Sequence, residues 1–139
     1  MKETIMLRAR CSDDLVYPAE AHLEEADDGE SVSIDLWIRE KRYSSTGDNY
    51  FAALKNLRIQ MEHDAVQILC NGANRNVYPS AMMLRMGDGR KAYVLHNGIQ
   101  AKKTDIVDIF DTDVALQVCS VSEQENYYKA WLDSLVDGR

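Results

Sequence analysis

Hydrophobic and polar residues alternate in two segments near the start of the chain, residues 4–11 and residues 32–39. One face of each segment is apolar, made by Ile5, Leu7, Ala9 and Cys11 in the first and by Val32, Ile34, Leu36 and Ile38 in the second. A period of two indicates strands that bury one face and expose the other. Both segments are therefore predicted to be strands of a half-covered sheet.

The residues before the second segment indicate how these strands connect. Asp27-Asp28-Gly29-Glu30 is typical of a tight turn between antiparallel strands. Residues 22–26 are predicted to be a short strand, and residues 21–43 an antiparallel hairpin. Its polar face would carry acidic residues from one arm and Trp37 from the other. Pro18, after Tyr17, is expected to interrupt regular structure before the hairpin.

Two longer segments have the periodicity of helices packed on one side. The first, residues 49–63, follows a predicted loop at 44–48 that ends in Asp48 as the N-cap. The second, residues 122–136, is predicted to begin with a capping box of Ser122 and Glu125 and to end before Gly138. Their apolar stripes are Tyr50, Leu54, Leu57 and Met61 in the first helix and Tyr128, Trp131, Leu132 and Leu135 in the second.

Short apolar segments separated by turns fill the middle of the chain. Strands are predicted at 66–70, 91–96 and 106–110, the last two antiparallel, and a further one at 114–118. Residues 73–80 form a predicted loop whose last residue, Ser80, caps a short helix at 81–86 that Gly87 ends. The whole is one α+β domain over residues 1–139, with a mainly antiparallel sheet and two main helices packed on it.

Composition supports a globular protein of the cytoplasm. At 139 residues with 28% charged residues, the chain can bury a core without a metal or disulfide. No apolar run approaches the roughly 20 residues that span a bilayer, so no membrane association is expected. The three cysteines, Cys11, Cys70 and Cys119, are odd in number and widely spaced. They are predicted to be free thiols in a reducing compartment.

The net charge of −7 is unevenly distributed. Residues 12–30 contain eight acidic residues and no Lys or Arg, and residues 104–138 contain eight acids and one lysine, whereas residues 31–103 are mildly basic. Acidic flanks repel nucleic acid and attract basic proteins. The predicted partner-binding residues are Asp13, Asp14, Glu20, Glu24, Glu25, Asp27, Asp28 and Trp37.

Sites for catalysis, cofactors and metals are not indicated by any spacing in the chain. The aspartates at 105, 108, 111 and 113 lack the glycine and closing glutamate of a calcium loop. Ser80 lacks a glycine-flanked nucleophile elbow, and Gly87-Asp88-Gly89 lacks a Walker pattern. One alternative stays open, a basic pocket for a phosphorylated or carboxylated metabolite. It would be lined by Asn71, Arg75, Tyr78, Ser80, Arg90 and Lys91.

Four strings in the middle of the chain carry a family resemblance. They are Asn71-Gly72, Val77-Tyr78-Pro79-Ser80, residues 89–93 (GRKAY) and residues 105–110 (DIVDIF). Together they resemble bacterial immunity proteins encoded beside polymorphic toxins of the Rhs and contact-dependent-inhibition kind. The resemblance implies a cytoplasmic protein without enzymatic activity, which neutralises one cognate toxin domain by occluding its active site. It identifies no binding residue.

Overall fold

Four strands in the first third of the chain form a continuous antiparallel meander. A computed structural model describes residues 2–137, apart from the side chains of Met86 and Asp137. The meander strands are β1 (Lys2–Arg10), β2 (Val16–Glu25), β3 (Val32–Ile38) and β4 (Lys41–Gly47). A short fifth strand, β5 (Gln67–Ile68), joins β1, so that the order across the sheet is β4-β3-β2-β1-β5.

The two alternating segments form strands as predicted. Leu7 and Ala9 of β1 are buried, and so are all four apolar residues of the second segment, which lie in β3. β2 and β3 pair in antiparallel register across the predicted turn, with Leu23 opposite Ile34. The predicted hairpin pairing is therefore confirmed, but its bounds differ. β2 begins at Val16, before residue 21, and β3 ends at Ile38, so that residues 41–43 belong to β4.

The prediction that Pro18 interrupts regular structure was wrong. Pro18 lies inside β2 and pairs with Arg8 of β1. The pairing of β2 with β3 begins only at Ala19, opposite Ile38. Proline has no N–H to donate, and sheets tolerate it where one side of the strand lacks a neighbour. Pro18 occupies such a position.

The predicted loop at 44–48 was also wrong, because most of it belongs to β4. In β4 only Tyr43 and Ser45 are buried. The N-cap of the following helix, α1 (Tyr50–Glu62), is Asn49 and not Asp48, because the Asn49 side chain accepts a hydrogen bond from the N–H of Ala52 at 2.9 Å. The helix itself and its buried stripe agree with the prediction.

A second, smaller sheet is formed by the middle of the chain. Its order is β6 (Val77–Tyr78), β7 (Lys91–Val94) and β8 (Ile106–Asp108). The helix α2 (Ala81–Met86) precedes β7, and Ser80 caps it as predicted by accepting from the N–H of Met83 at 3.1 Å. The predicted antiparallel pairing of the last two strands is confirmed. Single 3-10 turns occupy Asn71–Ala73 and Lys103–Asp105.

The last helix, α3 (Val121–Asp137), begins slightly earlier than predicted. Its capping box consists of Ser120 and Glu123, each of whose side chains accepts the other's backbone N–H, and not of Ser122 and Glu125. Trp131 is buried, whereas Leu132 of the predicted stripe is 41% exposed. Gly138, predicted to follow the helix, lies outside the described residues.

The segment 114–118 does not form the predicted strand. Its only ladder contact in the described chain is an isolated bridge between Val118 and Asn74.

The architecture is the predicted α+β class, in a single domain with two main helices. α1 packs on β3, β4 and β5, and this packing encloses the core. Within residues 2–137, no helix combines the length and apolar character needed to cross a bilayer.

Candidate docking surface

The outer face of the meander brings together three of the predicted site residues, Glu20, Glu24 and Trp37. Because side chains alternate across a strand, every second residue of β1 to β4 points away from the core. These outward residues are Lys2, Thr4, Met6 and Arg8 on β1, Glu20, His22 and Glu24 on β2, Ser33, Asp35 and Trp37 on β3, and Arg42, Ser44 and Thr46 on β4. The inner face packs against α1, so the outer face is available to a partner.

Trp37 is the large aromatic residue at the centre of this face. Its side chain is 42% exposed. In register it lies between Glu20 of β2 and Arg42 of β4. The Arg42 guanidinium carbon lies 5.8 Å from the Trp37 ring centre, within range of a cation–π contact. Arg42 thus lies against the Trp37 ring, and the exposed part of the ring is available to a partner.

Hydrogen bonds within β2 and between neighbouring strands hold the polar side chains around Trp37. His22 lies 2.7 Å from the Glu20 carboxylate and 3.3 Å from the Thr4 hydroxyl. Asp35 accepts from the Ser44 hydroxyl and, at 2.8 Å, from Arg42. The bond from Ser44, with a further contribution from Arg42, holds the pKa of Asp35 below its usual range. Asp35 is therefore ionised at neutral pH, and the face has fixed charges.

A shallow depression of about 380 Å³ adjoins Trp37 on this face. Its walls include Lys2, Thr4, His22, Asp35 and Arg42. These side chains are mostly charged, and several are already paired with each other. A depression with this lining suits a polar protein surface better than an apolar small molecule.

The structure divides the eight predicted partner-binding residues into three places. Glu20, Glu24 and Trp37 share the outer face. Glu25, Asp27 and Asp28 lie at the β2–β3 turn. We call this turn, with the flanking Glu24 and Glu30, the acidic turn. Asp13 and Asp14 lie at the β1–β2 turn, at the other end of the ten-residue strand β2. At about 3.4 Å per residue the two ends are roughly 30 Å apart.

The two ends differ in how their charges are balanced. At the β1–β2 turn, Asp14 lies 3.7 Å from Arg10. Asp13 accepts a hydrogen bond from the Tyr17 hydroxyl, and the Arg39 guanidinium lies over the Tyr17 ring. At the acidic turn, Lys2 is the one cation among the described residues that lies within ion-pair distance of a carboxylate, 3.9 Å from Glu24. The acidic turn is therefore the more negative end of the meander.

The six residues of the alternative pocket do not line one cavity. Asn71 is fully buried and holds neighbouring backbone, and Ser80 caps α2. Arg75 lies over the Tyr127 ring at 5.5 Å. Arg90 pairs with Glu3 at 2.6 Å and with Asp108 at 3.6 Å, and Lys91 lies 3.8 Å from the same Asp108 carboxylate. Their charges are directed to internal partners.

Two of those six residues, Tyr78 and Ser80, do line a separate cavity of about 260 Å³. Its other walls are mainly apolar and include Tyr93, Leu95 and Trp131. Tyr78 stacks on Tyr128 with ring centres 4.1 Å apart. No lysine or arginine of the described part of the chain lines this cavity, so the predicted basic character of the pocket is not found among those residues.

The aspartates of the 105–113 segment and the three cysteines have other roles. His96 lies 3.5 Å from Asp105, and the Asn71 amide donates to Asp113 at 2.6 Å. Among the side chains that the structure describes, no group of three His, Cys, Asp or Glu is arranged to hold a metal ion. Burial raises the pKa of the Cys70 thiol to about 11, and burial is also the main reason that the pKa values of Cys11 and Cys119 are raised. All three are free thiols and are protonated at neutral pH.

Sequence reasoning missed the part of this surface that β4 contributes. Arg42 was placed at the end of the predicted hairpin and Ser44 in the predicted loop, so a separate strand that brings both against Asp35 and Trp37 was not anticipated. The alternation of buried Tyr43 and Ser45 with exposed neighbours in residues 41–47 was the available signal.

No family model matches this sequence, and no curated protein is detectably similar to it.

Proposed function

We propose that this chain is a cytoplasmic immunity protein without enzymatic activity, which binds a cognate bacterial toxin domain and occludes its active site. The observation that carries the proposal is the half-exposed Trp37 at the centre of an uncovered, charged sheet face. Protein interfaces concentrate their binding energy in a few aromatic and arginine residues surrounded by a polar rim. Trp37 with Arg42 beneath it and the surrounding carboxylates has this composition.

The charges favour a basic toxin domain. The chain has a net charge of −7, and the acidic turn contributes carboxylates at one end of the Trp37 face. Complementary charge speeds the encounter of two proteins and disfavours partners of the wrong sign. Toxin domains that act on nucleic acids present basic active sites, because the substrate's phosphates must be bound there. An acidic inhibitor surface would cover such a site.

The size of the meander restricts the docking site to one end. A standard interface covers about 800 Å² on each partner, roughly 30 Å across, which is the full distance between the two acidic ends. An interface centred on Trp37, which pairs with Glu20 near the middle of β2, would have both acidic ends at its rim. It covers one end fully only if it is shifted towards that end and away from the other. We place it towards the acidic turn, where fewer cations balance the carboxylates.

Trp37→Ala is expected to weaken toxin binding by at least about 30-fold, the effect of losing an interface residue that contributes 2 kcal/mol or more. The fold should be unaffected, because the ring points away from the core. Calorimetric titration against the toxin domain encoded beside this chain measures the change. Leu132→Ala is the matched control, since Leu132 is 41% exposed but lies on α3. Equal effects of the two substitutions would contradict the placement.

Neutralising the acidic turn with Asp27→Asn and Asp28→Asn should lower the association rate roughly 3- to 10-fold at low salt. The same charge change at the other end, Asp13→Asn and Asp14→Asn, is the control and should have less effect. Asparagine can keep the turn contacts, including the side-chain oxygen of Asp28 that accepts from Glu30. Stopped-flow measurements at two salt concentrations test this. An unchanged rate for the first variant would remove the acidic turn from the docking site.

A second candidate function is the binding of a small molecule in the cavity beside Tyr78. Its stacked aromatic walls favour an uncharged, planar ligand over the phosphorylated or carboxylated metabolite that the sequence indicated. A ligand that co-purifies with the protein, detected by native mass spectrometry, would support this candidate. Loss of that ligand on Tyr78→Ala would place it in the cavity.

A further inference from the structure

The three carboxylates on the outer face of the meander differ in their partners. Asp35 lies 2.8 Å from Arg42, and Glu24 lies 3.9 Å from Lys2. The third carboxylate, Glu20, has no lysine or arginine of the described chain within 4 Å, and its ion-pair partner is a histidine. Glu20 is therefore the carboxylate of this face that lacks a permanently charged cation beside it.

The partner of Glu20 is His22, whose Nε2 lies 2.7 Å from the carboxylate, and both side chains are about half exposed. A neutral imidazole can donate from Nε2 to Glu20 and accept at Nδ1 from the Thr4 hydroxyl, which lies 3.3 Å away. A protonated imidazole forms an ion pair with Glu20 instead. Histidine is the side chain that changes its charge between about pH 5 and 8. The charge of Glu20 is therefore balanced only when His22 carries its second proton.

The position of Glu20 is suited to a partner's side chain. In register it lies between Met6 of β1 and Trp37 of β3, which are 61% and 42% exposed. Arg8, diagonally across from Glu20 on β1, is not within ion-pair distance of it. A charge pair strengthens when apolar groups cover it, because water is excluded and the effective dielectric constant falls. A cation that reaches Glu20 in a complex would be covered from both sides by these two apolar residues.

We propose that Glu20 binds a lysine or arginine side chain of the docking partner, and that a proton on His22 competes with that side chain. The inference rests on the proposed docking surface around Trp37. When His22 is neutral, the uncompensated Glu20 carboxylate attracts the partner's cation. When His22 is protonated, Glu20 is already paired and the imidazolium repels a second cation. Binding and protonation therefore oppose each other, and each weakens the other by the same factor.

The other charged groups that face His22 are already paired with each other. Each pair has no net charge, so the pairs offer neither the imidazolium nor the partner's cation a further uncompensated carboxylate. Glu20 is therefore the group through which the charge of His22 acts on a partner. The pairs are Asp35 of β3 with Arg42 of β4, Glu24 of β2 with Lys2 of β1, and Glu3 of β1 with Arg90.

NMR titration of His22 tests the competition without the toxin, with hexalysine as the cationic probe. At low salt, saturating hexalysine should lower the midpoint of the His22 titration by about half a pH unit. This corresponds to a roughly 3-fold competition, within the range of exposed charge pairs. Glu20→Gln removes the shared carboxylate and should abolish the fall. No fall in the wild type, or an equal fall in the variant, would overturn the proposal.

Toxin binding should show the same competition. Between pH 7.5 and 5.5 the wild type should lose about 3- to 5-fold more affinity for the neighbour-encoded toxin domain than His22→Gln, which stays neutral. His96→Gln is the matched control, because His96 also lies beside a carboxylate, 3.5 Å from Asp105, and this variant should behave like the wild type. Equal pH dependence of His22→Gln and the wild type would overturn the proposal. If the toxin domain does not bind while hexalysine still competes with the proton, the toxin proposal fails and the competition at Glu20 stands.

Discussion

Replacing Arg58 with methionine is expected to lower the free energy of unfolding by about 3 kcal/mol. Arg58 is 4% exposed and lies on the face of α1 that meets α3. Its guanidinium donates to the Gln124 side chain at 2.5 Å and to the Cys119 carbonyl at 2.8 Å. Burial lowers the pKa of Arg58 from its ordinary value. Arginine side chains stay protonated in proteins, so Arg58 is a buried cation.

The sign of this effect depends on which acceptors lose their partner. The Gly72 carbonyl keeps a bond from the Gln124 amide at 2.9 Å, and the Ala73 carbonyl keeps the Cys119 N–H at 3.3 Å. The Cys119 carbonyl and the Gln124 side-chain oxygen lose the donor that Arg58 provides. Two orphaned acceptors cost about 1–3 kcal/mol each, and relief of the buried charge returns part of that. The net effect is therefore destabilising.

Urea denaturation followed by circular dichroism measures the change in the free energy of unfolding. Thermal unfolding should show the same change as a fall of about 10 °C in the melting temperature. Arg75→Met is the control, because Arg75 is exposed and its loss should change stability by no more than about 0.5 kcal/mol. Gln124→Met should couple to Arg58→Met, since one bond joins the two side chains. If Arg58→Met cost no more than Arg75→Met, the connection between α1 and α3 would not depend on this cation.

The course of the fold was predictable wherever one local pattern determined an element. Val32 to Ile38 alternate strictly, and residues 27–30 leave few alternatives to a turn, so the β2–β3 hairpin followed from sequence. Ser80 was identified as a cap from its position before an apolar helix. These elements depend on interactions within a few residues of each other or on a burial pattern that repeats.

The strand β4 was not predictable in this way, because distant residues complete it. Its sequence, residues 41–47 (KRYSSTG), is polar and typical of a loop. Asn56 and Gln60 of α1 bond its outer edge, and Ser45 donates to the Ala53 carbonyl at 2.7 Å. No local pattern in residues 41–47 contains these partners, so the Arg42 side of the docking surface was missed with the strand.

The docking surface was predictable in composition more than in arrangement. The alternation of β3 correctly placed Trp37 on the polar face of the hairpin, beside acidic residues of β2. However, one acidic run in the sequence became two separate ends, because β2 extends through Pro18 and carries Asp13 and Asp14 away from Asp27 and Asp28. Strand length, which the proline obscured, decided which charges can act together.

The segment 114–118 alternates like a strand, but two buried asparagines give its backbone other partners. The Asn71 side chain accepts from the Val114 N–H at 3.2 Å. The Asn74 side chain donates to the Ala115 carbonyl at 3.0 Å and accepts from the Gln117 N–H at 2.5 Å. Side-chain amides thus supply the donors and acceptors that a neighbouring strand would supply. The chain remains irregular on its way to α3.

Asn74→Ala should therefore lower the free energy of unfolding by about 2–3 kcal/mol, through two lost hydrogen bonds and a small cavity. Asn74 is completely buried. The amide of Gln117 should lose its protection from hydrogen exchange, while amides in β2 and β3 change only with global stability. Asn76→Ala is the control, because Asn76 receives only a long bond of 3.4 Å from Asn74. Unchanged protection of Gln117 would show that the asparagine does not hold this segment.

Asn74→Asp distinguishes loss of the donor from loss of volume. The new carboxyl can still accept from Gln117, but when ionised it faces the Ala115 carbonyl without a proton to donate. Burial disfavours the charged form and should raise the pKa of this carboxyl in the folded state above its unfolded value of about 3.9. The variant is then closest to the wild type at low pH and loses stability as the pH rises above about 4. Comparing melting temperatures of the variant and the wild type between pH 4 and 7 tests the direction, and a difference that shrinks as the pH rises would contradict it.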